Sequence, residues 1–211
     1  MRKLIVNEFM SLDGVVQAPG AADEDTSGGF RHGGWHLGYF DEIAQKTVVG
    51  GITEAGAFVL GRRTYEIFAA YWPTAPEEEQ VVGEPLNAKP KYVASRTLSE
   101  PLGWQNSTLL EGDVGEAVAA LKQEDGADLH VIGSAELVQT LIEQELVDEL
   151  RLMVDPLVLG GGKRLFSDDG ALRPLRLVDS QVTTTGAILA RYSPASDWSA
   201  DEFPGFARSL S

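Results

Sequence analysis

From Lys3 to Val154 the chain alternates between short apolar runs and amphipathic stretches, and no other feature limits its fold as much. Strands are expected at Lys3 to Met10, Ala57 to Leu60, Pro90 to Ser95, Ser107 to Leu110, Asp128 to Ile132 and Glu149 to Val154. Between them, helical periodicity covers His36 to Val49, Arg62 to Tyr71, Val114 to Gln123 (with Asp113 as its cap) and Ala135 to Glu145. Strands joined through helices pair in parallel with right-handed crossovers, so helices cover both faces of one sheet. Leu175 to Gln181 and Ala187 to Tyr192 read as an antiparallel hairpin at one edge. The fold class is therefore α/β, with a mostly parallel central sheet and a C-terminal antiparallel hairpin.

Two stretches read as loops. Pro73 to Pro85 is acidic and rich in proline. Residues 14 to 34 hold six glycines, and long loops in compact domains usually carry function or are disordered. With 211 residues, 43% of them hydrophobic, the chain suits one domain over residues 1–195, followed by a tail at 196–211. The net charge of −15 argues against nucleic acid and anionic membranes as partners. There is no cysteine, which excludes disulfides and thiolate chemistry. MRKLIVNEFMSLDG has neither a signal peptide's nor a membrane span's apolar run, so a soluble cytoplasmic protein is expected.

Against this acidic background, arginines at strand ends stand out, because ligands of open α/β sheets bind beyond the carboxyl ends of the strands. In VLGRRTYEIFAAYW, Gly61 ends an apolar run and Arg62 and Arg63 fall in the first turn of a helix. That end already carries about half a positive charge from its free N–H groups. A bound anion would answer all of these charges together, with Thr64 supplying a hydroxyl. The competing explanation is an ion pair with Glu66, which accounts for one arginine. A second strand end carries Ser95 and Arg96. A third, Ile132-Gly133-Ser134-Ala135-Glu136-Leu137, has the strand–glycine–helix form that seats a pyrophosphate, although it is not the GxGxxG fingerprint. Phosphate sites in two or three places, separated by strand widths, suggest a dinucleotide, and the extra arginines suggest a 2′-phosphate.

SLDGVV (11–16), LGRRTYE (60–66), VASRTL (93–98), VIGSAELVQTL (131–141) and LVDELRLMVDPLVLGGGKRLF (146–166), in this order, resemble the dihydrofolate reductase-like superfamily. Within it, they are most similar to the reductase domain of the riboflavin-biosynthesis deaminase/reductase. The resemblance spans residues 2 to 193 and implies a three-layer NADPH-dependent reductase. It implies Arg62 on the 2′-phosphate, with Arg63 and Thr64 on the pyrophosphate. It sets Ser95 and Arg96 at the adenosine end and the 132–137 turn on the other side of the pyrophosphate. Phe9 and Val16 would lie near the nicotinamide, under a mobile loop from Leu12 to Val16. The implied reaction is hydride transfer to a small heterocycle, with a riboflavin-route pyrimidine as first candidate and a pterin as second. Relatives of this kind are commonly dimers, so a homodimer is expected. A non-catalytic NADPH-binding regulator is the alternative of a different class.

Hydride transfer to C=N or C=O also needs a proton. Folate reductases use a carboxylate on the first helix, past a tryptophan, and here Trp35 is followed by Asp41. Asp41 is thus the candidate acid, and Trp35 and Gly161 of the Gly160-Gly161-Gly162 loop are the candidate substrate contacts. Lys163 stands where the riboflavin-pathway enzyme tends to offer an acid. His32 and His36 have metal-ligand spacing, but two glycines separate them and no third ligand is evident, so no metal is expected.

Overall fold

The computed structural model describes residues 1–195; the expected tail lies outside them. Eight strands form one sheet in the order β4-β3-β2-β5-β1-β6-β8-β7. In chain order these are β1 (Leu4–Ser11), β2 (Ala57–Gly61), β3 (Lys91–Ala94), β4 (Ser107–Leu109), β5 (Leu129–Ile132), β6 (Glu149–Asp155), β7 (Leu175–Val182) and β8 (Ile188–Pro194). The helices are α1 (Glu42–Glu54), α2 (Arg62–Tyr71), α3 (Gln80–Ala88), α4 (Val114–Gln123) and α5 (Ala135–Glu143). All pairings from β4 to β6 are parallel, and β6–β8 and β8–β7 are antiparallel. The last strand thus lies inside the hairpin edge, and β7 is outermost.

Strand alternation divides the core between two faces. Leu4, Val6, Val59, Leu129 and Val131 pack with Val118 and Leu121 of α4 and with Leu137, Val138 and Leu141 of α5. Phe58, Leu60 and Val93 pack on the other face with Ile52 of α1, Tyr65 of α2 and Leu86 of α3. β2 is central, so Ala57 to Leu60 are buried on both faces, which accounts for their unbroken apolar run.

Two elements differ from the sequence expectation. The last part of the expected loop, residues 80–85, forms α3 together with residues 86–88 in spite of Pro85, because Val82 and Leu86 are one turn apart and pack on the second face. The end of α3 is tied down by Lys91, whose buried ammonium donates to the Leu86 and Lys89 carbonyls, each at 2.8 Å. Burial lowers the Lys91 pKa to about 8. The first helix begins at Glu42, not at His36, because Asp41 caps it and residues 37–39 form a separate turn. Among the described residues, no helix is long and apolar enough to cross a membrane.

Candidate functional site

Two helix N-termini meet at the carboxyl edge of the sheet. β2 runs through Gly61 into α2, and its neighbour β5 runs through Gly133 and Ser134 into α5. The turns lock together: the Ser134 hydroxyl accepts the Gly61 N–H at 2.9 Å and donates to Thr64 Oγ1 at 2.9 Å. Both glycines permit this approach. A Cβ on Gly61 would come within 3.2 Å of the Ser134 side chain, and one on Gly133 (φ +58) within 3.2 Å of Thr64 Oγ1. Ser134 itself is left-handed, with φ 71 and ψ 49, a conformation that costs an L-residue energy and often marks a functional turn.

Side-chain caps close α1 and α4 but not these two helices, nor α3. α1 starts on Asp41, which accepts from Ala44 N, and α4 on Asp113, which accepts from Gly115 N and Glu116 N. Neither α2 nor α5 has a side-chain cap; the Ser134 hydroxyl is turned to Gly61 and Thr64 instead. Two sets of helix N–H groups at the positive ends of two dipoles are thus left to an outside acceptor.

Three arginines border this edge. Arg62 pairs with Glu66 at 3.1 Å, and both side chains are about half exposed. Such a pair contributes only ~0.3–0.5 kcal/mol and is readily exchanged for a phosphate. Arg63 has a partner that no local pattern announces: Asp25, from the 14–34 loop. Asp25 also accepts from Lys163 Nζ at 2.9 Å. Burial pushes the Asp25 carboxyl up, but hydrogen bonds from Ser27 and Lys163 outweigh it and hold its pKa at about 2. Arg96 lines the same cleft and has no acidic partner among the described residues, while Ser95 caps its own turn by accepting from Thr97 N and Leu98 N.

The 14–34 loop is folded onto the cleft through its side chains. Gln17 donates to the Asp25 and Ser27 carbonyls and accepts from Lys163 N. Asp13 of SLDG accepts from Leu159 N at 3.1 Å and Gly160 N at 2.9 Å, tying this turn to the glycine-rich turn. With the Ser11 hydroxyl also on it, the Asp13 pKa falls to about 2.

One cleft brings together Phe9, Val16, Gly61, Arg62, Arg63, Thr64, Ser95, Arg96 and the whole run Ile132 to Leu137. The sequence matches the RibD C-terminal domain family over residues 2–189. The chain belongs to that family. Two curated relatives are both uncharacterized proteins of Bacillus subtilis strain 168. YyaP is 32% identical over 144 residues, 67% of this chain and 75% of that one. YwjB is 28% identical over 174 residues, 79% of this chain and 84% of that one. Three solved structures share the fold. A putative riboflavin biosynthesis protein from Shewanella sp. PV-4 superposes with a TM-score of 0.65 at 20% identity, covering 92% of this chain and 99% of that one. A pyrimidine reductase-like protein from Corynebacterium diphtheriae gives 0.59 at 14% identity, with 93% of each chain covered. Enterococcus faecalis dihydrofolate reductase, solved with NADP(H) and RAB-propyl, gives 0.59 at 15%, with 92% and 97% covered. The fold of this chain is thus dihydrofolate reductase-like, with a sheet, a hairpin edge and flanking helices as the sequence suggested.

In this RibD C-terminal domain the three residues expected on the substrate side stand apart from the cleft lining. Asp41 is spent on structure: one oxygen caps α1, and the other accepts Thr184 N at 2.7 Å and the Thr184 hydroxyl at 2.5 Å. The Thr184 hydroxyl, followed by the helix N–H, lowers the Asp41 pKa, the wrong direction for a proton donor at neutral pH. The Trp35 indole N–H donates to the Gln17 carbonyl at 2.8 Å and so anchors the loop. Gly161 borders a smaller recess, with Phe30 and His32.

Two buried groups line the cleft that the sequence did not assign to proton chemistry: Glu8, not singled out at all, and His36, weighed only as a metal ligand. Glu8 on β1 is 6% exposed, its Oε1 has no partner among the described residues, and burial, with Glu24 nearby, raises its pKa well above the ordinary carboxylate range. His36 is 2% exposed, lies flat on Phe9 with ring centroids 3.7 Å apart, and holds Asp155 Oδ2 through Nδ1 at 2.8 Å. Its Nε2 has no partner among the described residues. No local signal could have found this pair, because 119 residues separate its members.

Proposed function

We propose that the protein is an NADPH-dependent reductase that transfers a hydride to the C=N or C=O carbon of a small heterocycle. The observation that carries this reading is the pair of adjoining, uncapped helix N-termini with Arg62 and Arg96 beside them. Two anionic groups a short distance apart fit that arrangement, as the pyrophosphate of a dinucleotide does, and an additional 2′-phosphate fits the arginines. In this reading the N–H groups at the starts of α2 and α5, with Thr64 and Ser134, hold the pyrophosphate. Arg62 and Arg96 hold the 2′-phosphate, and Phe9 and Val16 border the nicotinamide, which supplies the hydride when bound. The family and its fold favour a pyrimidine of the 5-amino-6-(ribosylamino)uracil type as substrate, and a pterin next.

We also propose that the protein works as a homodimer built on β7. Every residue of that strand is exposed, including Leu175, Leu177, Val178 and Val182. An open edge with an apolar surface of this kind is a ready pairing site.

Calorimetry with NADPH and NADH tests the cofactor. The wild type is expected to bind NADPH more tightly. Arg62→Ala is expected to lose about 1.5–3 kcal/mol toward NADPH, the usual size of a charge-assisted contact, and little toward NADH. A wild type that binds neither nucleotide would overturn the reading.

A further inference from the structure

Adding a hydride to the carbon of a C=N or C=O bond leaves the nitrogen or oxygen needing a proton. We infer that His36, oriented by Asp155, is the group that delivers it. The inference rests on the reductase reading above and extends it to a residue pair that neither the sequence motifs nor the family assigned.

The geometry is that of an oriented acid. Asp155 ends β6, is fully buried, and stands beside Ser11 at the end of β1. Its carboxylate takes the Nδ1–H of His36 at 2.8 Å, which fixes both the ring's orientation and its tautomer. The second ring nitrogen is therefore the one that exchanges protons, and it is buried and without a partner among the described residues. Left with no function, a ring nitrogen in that state is a cost, since buried polar atoms are normally paired. Phe9 clamps one face of the imidazole with centroids 3.7 Å apart and 15° between the rings, and Phe40 meets it in a T-shaped contact with centroids 5.3 Å apart. His36, Phe9 and Phe40 all line the cleft that holds the dinucleotide-type site. With the ring as the imidazolium, its Nε2 proton passes to the substrate nitrogen or oxygen as the carbon takes up its hydride, and the Nδ1–H stays on Asp155. Asp155 compensates the ring's charge beforehand, and the neutral imidazole regains its proton from water.

Glu8 is the competing donor in the same cleft. It stands one residue before Phe9, hence on the opposite face of β1, the face of Leu4 and Val6. Asp155 and Phe9 hold His36 on the α1 face, with Met153 and Ala44.

The test combines kinetics with a spectroscopic readout, on the full chain. With 7,8-dihydropterin and 1-pyrroline as C=N probes, His36→Gln is expected to bind NADPH like the wild type and to reduce the probes about 10²–10⁴-fold more slowly. Glu8→Gln is expected to retain most of the rate. In protein labelled with ¹⁵N-histidine, His36 is expected to show a protonated Nδ1, and Nε2 is expected to shift when a probe joins the NADPH-loaded protein. Asp155→Asn, a change at a positioning residue, is expected to alter the tautomer and to slow reduction while NADPH affinity is kept. Wild-type rates in His36→Gln, or a loss found in Glu8→Gln alone, would overturn the inference and leave the reductase reading standing. If the probes are not reduced, an Nε2 signal indifferent to both of them overturns it, and a shifted signal supports it. Failure of the wild type to bind NADPH would take down both.

Discussion

Arg62 and Arg63 are adjacent in sequence and answer to different partners. Helical spacing announces Glu66 for Arg62; nothing local announces Asp25 for Arg63, 38 residues earlier. The same division runs through the site. Residues that act through backbone turns, such as Gly61, Gly133 and Ser134, were legible because turn chemistry is local. Residues that act through a distant side chain, such as His36 through Asp155, were not. Asp41 was legible as an acid at a helix start, but a helix start offers a carboxylate two uses, and capping prevailed here. His130 is another long-range case. It is 1% exposed, its Nδ1 faces the Asn7 amide at 3.2 Å, and burial followed by the nearby Arg151 lowers its pKa to about 4. A histidine held below its unfolded value of about 6.5 stabilises the fold above that pH, and the contribution disappears as pH falls toward 4. At ~1.4 kcal/mol per pH unit this amounts to on the order of 3 kcal/mol. Urea unfolding of the wild type and His130→Gln at pH 7 and pH 4 should show the variant losing less stability by about that amount. Equal losses would mean that His130 titrates freely.

At the scale of elements, strands and helices with a clear apolar period were readable within a few residues, and α3 was not. Its proline and flanking glutamates signal a loop, while the contacts that make it a helix come from Leu86 on the second core face and from Lys91 on β3. The 14–34 loop is likewise defined by what it touches. Asp25 fastens it to α2 through Arg63 and to the glycine-rich turn through Lys163. Because the Asp25 pKa is held at about 2, below its unfolded value of about 3.9, this fastening is complete at neutral pH and is lost only in strong acid. Asp25→Asn should lower stability by about 1–2 kcal/mol, since Asp25 is buried but both cations are partly exposed. It should also tighten NADPH binding, because it removes a negative charge beside the phosphate site and frees Arg63 at the start of α2 to join the pyrophosphate. A chemical denaturation series and a calorimetric titration of the same variant check the two halves. Unchanged stability would show that the ion pairs do not hold the loop.

For the whole molecule, the parallel sheet and its antiparallel edge followed from the alternation of elements, whereas the strand order did not. Nothing in the last fifty residues tells that β8 intervenes between β6 and β7. Among the described residues, that order leaves the outer edge of β7 without a strand partner, and its surface is apolar in a chain of net charge −15. Two such chains repel at long range, and salt screens the repulsion without weakening apolar contact. Sedimentation velocity should therefore show a dimer that strengthens between low and moderate salt, and Leu177→Glu should shift it to monomer. A wild-type protein that stays monomeric at all salt concentrations would rule out pairing through β7.

The position of β1 has a consequence for how the chain is made. It lies at the centre of the sheet, between β5 and β6, and Leu4 is in register with Leu129. During synthesis it emerges with neither neighbour in existence, and at ~5–20 residues per second its first partner follows roughly 6–25 s later. Throughout that interval Leu4, Ile5 and Val6 have no sheet to join. The nascent chain is thus obliged to remain open until most of it has left the ribosome, and it depends on whatever shields apolar segments there.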